Sequence, residues 1–274
     1  MRPKPNNKPP MKTSILNLII FFIIFSCKKP DHSPSPVAVA QNCSIASITQ
    51  SGAVPATYKF NYGSSNNIST EDETVSGSSS TATFTYDAAG NITGINNVQS
   101  GIFVISFSFT YDGSKNLVGI ASINSLGETT STATLTYNSS GQLTSKHSYD
   151  PYGGDAGRLD YTYADATSKN PTLCKEYYAG GLFMAEYGYT YDSNPTALNP
   201  STNYIIGGLI TGYLIDGNFT RGYFGENNVT QVDKMDHNGA ILNTTSISYQ
   251  YDSNKNPSLI TIGSATWSFK YNCK

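Results

Sequence analysis

The sequence predicts an all-β protein: a large antiparallel up-and-down meander of hairpin repeats, with roughly 16 strands that close, or nearly close, into a flattened barrel. Three observations lead to this prediction. A Tyr–Asp motif recurs along the chain at nearly constant spacing. Apolar and polar side chains alternate before most copies of the motif, as they do in a half-buried strand. The 274 residues include 24 Gly and 20 Tyr but are only 13% charged, which is typical of a β protein with many turns.

The clearest copy of the motif runs from Phe84 to Ile92. Phe84 and Tyr86 are two residues apart, so their side chains point to the same face of a strand. Asp87 begins a tight turn, and Gly90 can adopt the positive φ angle that ends a type I turn in a hairpin. Ile92 then starts the returning strand. The motif therefore predicts the bend of a two-stranded unit.

Nine tyrosines mark successive copies, which are 20 to 32 residues apart: Tyr62, Tyr86, Tyr111, Tyr137, Tyr163, Tyr191, Tyr223, Tyr251 and Tyr271. A period near ~25 residues accommodates two strands of about eight residues, a short turn and a longer connection. Connections this short leave no room for crossover helices. Neighbouring strands are therefore expected to pair antiparallel.

The number of strands constrains how the sheet closes. A round barrel of about 16 strands would enclose a lumen too wide for side chains to fill. A barrel in water must therefore flatten until its inner faces meet, or remain an open trough. A round barrel with its aromatic face outward would instead suit a bilayer, so a membrane-spanning β-barrel is an alternative. The Thr, Gly and Asn residues that interrupt the apolar face argue against it.

Residues 1–26 are predicted to be a lipoprotein signal peptide. Four basic residues precede an apolar segment at 15–25, which is shorter than the ~20 residues that a membrane-spanning helix needs. Ser26 and Cys27 end this segment, and a small residue followed by Cys at this place resembles a bacterial lipoprotein signal. The resemblance implies that Cys27 is lipidated. An ordinary secretory peptide with a chance Cys is the alternative.

Residues 27–42 are predicted to comprise the lipidated Cys and a Pro-rich tether, and residues 43–274 the repeat domain. The residue after Cys27 is Lys28, not the Asp that by analogy with lipoproteins would retain the protein in the inner membrane. We therefore expect attachment to the outer membrane through a lipid anchor, with the domain periplasmic or exposed at the cell surface.

The Tyr–Asp segments beginning at Tyr86 and Tyr111 resemble the YD repeat of Rhs-type surface proteins. Lipid attachment, about eight repeats and a single domain over residues 43–274 are more similar to a family of Gram-negative lipoproteins described as having a porin-like fold. This resemblance implies a large antiparallel meander, closed or nearly closed. It implies no activity, ligand or catalytic residue.

The cysteines other than Cys27 are odd in number: Cys43, Cys174 and Cys273. Cys43 and Cys273 bracket the repeats, and a disulfide between them would join the first and last strands of a closing sheet. An exported compartment permits such a bond. Cys174 is the competing partner, because connectivity does not follow from sequence alone.

Catalysis, cofactors and metals find little support in the sequence. Asp150 and Asp155 are the only candidates for paired carboxylates, and their segment is interpreted as a turn; His147 is isolated. The segment from Asp252 resembles the start of a calcium loop, but its sixth position is Pro257, so we interpret it as a turn too. No enzyme activity, cofactor or metal site is predicted.

The partners that the sequence favours are a membrane, through the lipid anchor, and an envelope protein or a glycan. A net charge of −2 gives no basic stripe to meet the phosphates of a nucleic acid. The predicted function is a non-catalytic structural or binding role at the cell envelope. The alternative is a glycan-binding surface lipoprotein that stacks exposed rings on sugars, with Trp267, Tyr152, Tyr177 and Tyr178 as candidates.

Overall fold

The computed structural model describes residues 43–52, 54–195 and 225–273. The leader, Cys27, the tether and Tyr223 lie outside these residues. Sixteen strands account for nearly all of the described chain: β1 (Cys43–Ser51), β2 (Ala56–Tyr62), β3 (Ile68–Val75), β4 (Ser78–Tyr86), β5 (Ile92–Gln99), β6 (Ile102–Tyr111), β7 (Leu117–Asn124), β8 (Thr129–Tyr137), β9 (Leu143–Tyr149), β10 (Asp155–Tyr163), β11 (Pro171–Tyr177), β12 (Phe183–Pro195), β13 (Asn227–Met235), β14 (Ile241–Tyr251), β15 (Pro257–Ile262) and β16 (Ala265–Cys273). Within the described chain, no helix combines the length and the apolar character needed to cross a membrane.

The strands form one closed barrel in which each strand pairs antiparallel with its neighbours in sequence. The first and last strands complete the ring, because β1 pairs with β16 from Cys43 opposite Cys273 to Ser51 opposite Thr266. The predicted meander of about 16 strands is therefore confirmed, and the sheet is a barrel rather than an open trough. Closure leaves no strand edge unpaired.

The connections divide between the two ends of the barrel. The Tyr–Asp turns, which follow the even-numbered strands, lie together at one end, which we call the base. The turns that follow the odd-numbered strands lie at the other end, which we call the mouth. β1 starts and β16 finishes at the base.

The aromatic face of the sheet points inward. Tyr58, Phe60 and Phe84 are 2%, 5% and 6% exposed, whereas the residues that alternate with them, such as Lys59 and Thr83, are exposed. Buried side chains from all sixteen strands join one hydrophobic core. The interior is therefore filled by the rings that the period-two pattern predicts.

The Asp of the Tyr–Asp motif holds the base turns in shape. In the turn after β4, Asp87 Oδ1 accepts hydrogen bonds from the backbone N–H groups of Ala89 and Asn91 at 2.9 and 2.8 Å. The side chain of Asn91 donates to Asp87 Oδ2 at 2.8 Å. These bonds lower the pKa of Asp87. The same bonding recurs after β6 around Asp112 and after β14 around Asp252.

The Tyr of the motif ties neighbouring strands together. Each hydroxyl donates to a backbone carbonyl at or near the base end of the preceding strand, over 2.7 to 3.0 Å, in the pairs Tyr62–Ile45, Tyr86–Ile68, Tyr111–Ile92, Tyr137–Leu117, Tyr191–Pro171, Tyr249–Val229 and Tyr271–Pro257. In β14 the donor is Tyr249 rather than Tyr251, the residue next to the turn. The hydroxyl of Tyr251 bonds instead to Asp192.

Candidate binding surface

The exposed large apolar side chains of the described chain all lie at the mouth. None of them lies in or beside a base turn. They occupy mouth turns or the first residues after them: Val54, Ile102, Val104, Leu126, Tyr152, Tyr178, Leu182, Met184, Ile241 and Leu242. Five successive mouth turns, from the β5–β6 turn to the β13–β14 turn, carry at least one each. We call this set the apolar ring.

One sector of the mouth also gathers polar and aromatic groups on the outer face of β9 to β12. Asp155 begins β10, and its Oδ1 lies 2.9 Å from His147 Nε2 on β9. Asp155 also accepts from the backbone N–H groups of Gly157 and Gly180, at 2.9 and 2.7 Å. These contacts hold the pKa of Asp155 below its usual value, the hydrogen bond from His147 being the largest cause. One carboxylate thus links β9 and β10 to the connection between β11 and β12.

Arg158 and Tyr177 continue this sector. The guanidinium carbon of Arg158 lies 4.7 Å from the centroid of the Tyr177 ring, a cation–π arrangement, while Arg158 Nε pairs with Asp160 at 2.9 Å. Phe183 meets the Tyr177 ring edge-on, at 6.0 Å between centroids. On β9, the ring of Tyr149 lies 4.5 Å from that of His147, and its hydroxyl is 3.2 Å from His147 Nδ1. We call these groups, with Tyr152 and Tyr178, the aromatic corner.

The four rings predicted to stack on a ligand divide between the mouth and the interior. Tyr152 and Tyr178 are 95% and 52% exposed and flank the aromatic corner. Tyr177 is half-buried, with Arg158 over its ring. Trp267 differs from the expectation, because it is 3% exposed and packs in the core. Its position alternates with Ser268 and Thr266, which places the indole on the inner face, where no sugar can stack on it.

The cysteines take distinct places. Cys43 and Cys273 face each other in the pairing of β1 with β16 and are joined by a disulfide bond, which closes the barrel covalently at the base. Cys174 is fully buried in the core of β11. The proposed lipidation site, Cys27, lies outside the described residues.

The acidic residues considered for catalysis or calcium serve turns. Asp150 accepts from the backbone N–H groups of Tyr152 and Gly154, and Asp155 bonds to His147 rather than pairing with Asp150. Asp252 accepts from the backbone of Asn254 and Asn256. Among the residues that the structure describes, no three His, Cys, Asp or Glu side chains converge as a metal site would require.

Sequence reasoning missed the pairing of His147 with Asp155, and it treated His147 as isolated. The two residues are eight apart, and only the register of the β9–β10 hairpin, with Asp155 opposite Tyr149, brings them together. Simple alternation from the buried Leu143 would place His147 and Tyr149 on the inner face. A bulge next to Leu143 reverses this alternation, so that His147 lies opposite the exposed Thr134 on the outer face.

Comparisons with known proteins place the fold. No family model and no curated protein match the sequence. Among solved structures, the chain is similar to a porin-like protein from Bacteroides uniformis, with 13% identity and a TM-score of 0.56, over 83% of this chain and 98% of that one. A porin-like protein from Bacteroides vulgatus matches with 11% identity and a TM-score of 0.44, over 83% and 98%. The TcdB2-TccC3 structure matches with 15% identity and a TM-score of 0.35, over 76% and 10%.

The first of these similarities defines the class of the fold: a closed β-barrel of the porin-like kind. At 13% identity the likeness concerns the fold alone. The porin-like fold, which the resemblance to a lipoprotein family implied, is thus confirmed. The relationship to lipoproteins and to Rhs-type proteins stays a prediction.

Proposed function

We propose that this chain is a lipid-anchored protein of the bacterial outer membrane whose barrel is a non-catalytic binding module, with the mouth as its contact face. The observation that carries the proposal is the segregation of exposed apolar side chains. Large apolar groups are ordinarily scattered singly over a surface, whereas a grouped set marks an interaction site. Here they form the apolar ring, and within residues 43–52, 54–195 and 225–273 none of them lies in a base turn.

The outward face of the strands supports a barrel that stands outside the hydrocarbon of a membrane. Lys59, Asp72, Lys175 and Lys270 are exposed on this face, within the strands rather than at their ends. A Lys on the lipid face of a transmembrane barrel costs about 2–4 kcal/mol near the bilayer midplane. The inward aromatic face and the outward charges together favour the anchored domain over the membrane-spanning alternative.

Site-specific cross-linking tests the contact face. A photoreactive amino acid is placed at Leu126, in the mouth, and another at Ala88, in a base turn, because both positions are exposed. In intact cells we expect adducts from Leu126 and none from Ala88. Adducts from Ala88 alone would contradict the proposal.

Mass spectrometry of the mature N-terminus tests the anchor, because acylated Cys27 has a characteristic added mass.

A glycan is the second candidate for the ligand, and the aromatic corner favours it. The rings of Tyr152 and Tyr178 offer stacking surfaces, and Asp155 and Arg158 beside them offer charged hydrogen-bonding groups. We expect retardation on an envelope polysaccharide gel that is lost in Tyr152→Ala and Tyr178→Ala but kept in Tyr152→Phe. Equal mobility of all variants would exclude this ligand, and hydrolysis of the polysaccharide would contradict a non-catalytic role.

A further inference from the structure

The apolar ring collects exposed apolar side chains from several turns at one end of the barrel. We propose that the mouth docks on the surface of an uncharged, zwitterionic phospholipid bilayer, with the side chains of the apolar ring entering its headgroup region. This inference rests on the proposed function, because it identifies the partner of the mouth as the membrane near which a lipid anchor would hold the barrel. A partner protein and a second copy of the chain are the competing occupants.

The fold does not require apolar residues at the tips of the mouth turns. Leu126 and Tyr152 each donate a backbone N–H to the Asx side chain two residues earlier, Asn124 and Asp150, at 2.9 Å. The equivalent position in the base turns is small or polar, and its N–H makes the same bond: Ala89, Ser114, Ser140 and Asn254. The mouth turn at Asp236 has the polar Asn238 at this position. Among the described turns of this kind, apolar tips thus occur only at the mouth, where their exposure costs solubility and indicates a contact.

The charges at the mouth favour a neutral surface. The turns at 52–55, 76–77, 100–101, 125–128, 150–154, 178–182, 236–240 and 263–264 contain no Lys or Arg. Anionic lipids are attracted by such cations, so their absence predicts no need for anionic lipid. The carboxylates of Asp150 and Asp236 accept hydrogen bonds from their own turns, and Glu128 accepts one from Asn124. These carboxylates are therefore hydrogen-bonded within their own turns, whereas Leu126 and Tyr152 are 79% and 95% exposed.

The chain outside the described residues is long enough for the mouth to reach the bilayer that holds the anchor. The 15 residues at 28–42 span at most ~50 Å when extended. They join the barrel at Cys43, at the base, and a strand of 9 residues such as β1 rises only ~30 Å from base to mouth. Tethering also raises the effective concentration of the mouth at the membrane, so that a weak affinity suffices.

A fluorescence experiment on the full, acylated chain in vesicles tests the inference. Cys43 and Cys273 are joined, Cys174 is 0% exposed and Cys27 would be acylated, so an introduced surface Cys is selectively labelled. One chain carries an environment-sensitive dye at Leu126→Cys and another at Ala88→Cys. The vesicles are phosphatidylcholine, with and without bromine on the acyl chains. We expect at least twofold quenching by brominated lipid at position 126, unchanged between low and high salt, and none at position 88.

Other results separate the competing occupants. No quenching at position 126, or equal quenching at both positions, overturns the inference. A dye response without lipid that grows with protein concentration overturns it in favour of a second copy. A response that needs an added envelope protein overturns it in favour of that protein and leaves the proposed function standing. Absence of acyl mass on Cys27 instead contradicts the anchor. In a labelled chain that also carries Leu182→Ser and Leu242→Ser, we expect at least half of the quenching to be lost.

Discussion

The hydroxyl of Tyr86 donates a 2.8 Å hydrogen bond to the backbone carbonyl of Ile68 on the neighbouring strand. The ring of Tyr86 covers the base end of the interior, and burial raises the pKa of its hydroxyl to about 12. The bond joins the Tyr of one repeat to the first residue of the preceding returning strand. Equivalent tyrosine hydroxyls around the base donate hydrogen bonds to backbone carbonyls of the neighbouring strand and so connect consecutive hairpins.

Loss of one such tie should lower stability measurably. Tyr86→Phe removes the donor and leaves the Ile68 carbonyl without this partner, so we expect the free energy of unfolding to fall by about 1 kcal/mol. Chemical denaturation monitored by tyrosine and tryptophan fluorescence measures it. Tyr152→Phe is the matched control, because this ring is 95% exposed and its change should be close to zero. Equal effects in the two variants would disprove the role of the bond.

Glu71 makes stability depend on pH. It points inward between Phe60 and Ala82 and is 6% exposed. Burial, followed by the nearby negative charges of Glu73 and Asp72, raises its pKa from 4.5 to about 7. Because the folded state binds this proton more tightly than the unfolded state, the associated stability is complete below about pH 4.5 and is lost as the pH rises to about 7.

Glu71→Gln should therefore stabilise the protein at pH 8 by up to about 3 kcal/mol, and by much less at pH 5. Denaturant titrations at the two pH values measure this difference. Glu128→Gln provides the control, since Glu128 is exposed in the β7–β8 turn and its charge does not contribute to the raised pKa of Glu71. A gain from Glu71→Gln that is the same at both pH values would refute the linkage.

The disulfide at the seam should contribute strongly to stability. It links residues separated by 230 positions, and the chain-entropy estimate for so long a loop is at most about 5 kcal/mol. We expect Cys43→Ser, Cys273→Ser and the double variant to lose the same amount, because either change breaks the single bond. A reducing agent should lower the stability of the wild-type chain and leave that of the three Ser variants unchanged. If the double variant had a much lower free energy of unfolding than either single variant, the two cysteines would be contributing to stability separately.

Asp155 should govern the local order of the aromatic corner. Asp155→Asn weakens its bonds to His147 and to the backbone N–H of Gly180, so amide exchange over 178–182 should become faster. Because the pKa of Asp155 is lowered, the wild-type contacts persist at neutral pH and are lost only as the pH falls through that lowered value. Asp236→Asn, in another mouth turn, should leave exchange at Gly180 unchanged. Hydrogen exchange with mass spectrometry distinguishes the two.

The repeats made the architecture predictable because each contains its own turn and its own pairing. Asp87 and Gly90 specify a local bend, and Phe84 and Tyr86 specify the inner face, so neither depends on distant residues. The contacts of the aromatic corner depend instead on registers across several strands. Asp155 meets Gly180 only because β9 to β12 align at the mouth. In β14 the hydroxyl of Tyr251 bonds to Asp192, 59 residues away on β12, and Tyr249 makes the bond to the preceding strand; this exchange also depends on a residue distant in sequence.

The seam between β1 and β16 has a further consequence. Cys43 and Cys273 have Cα atoms 4.0 Å apart, so the strands form a cycle whose starting point is arbitrary. A circularly permuted chain, joined at the seam by a short linker and opened at Ser76-Gly77, would retain every strand neighbour. New termini would then emerge at the opposite rim, which would allow a membrane tether to be attached beside the apolar side chains instead of far from them.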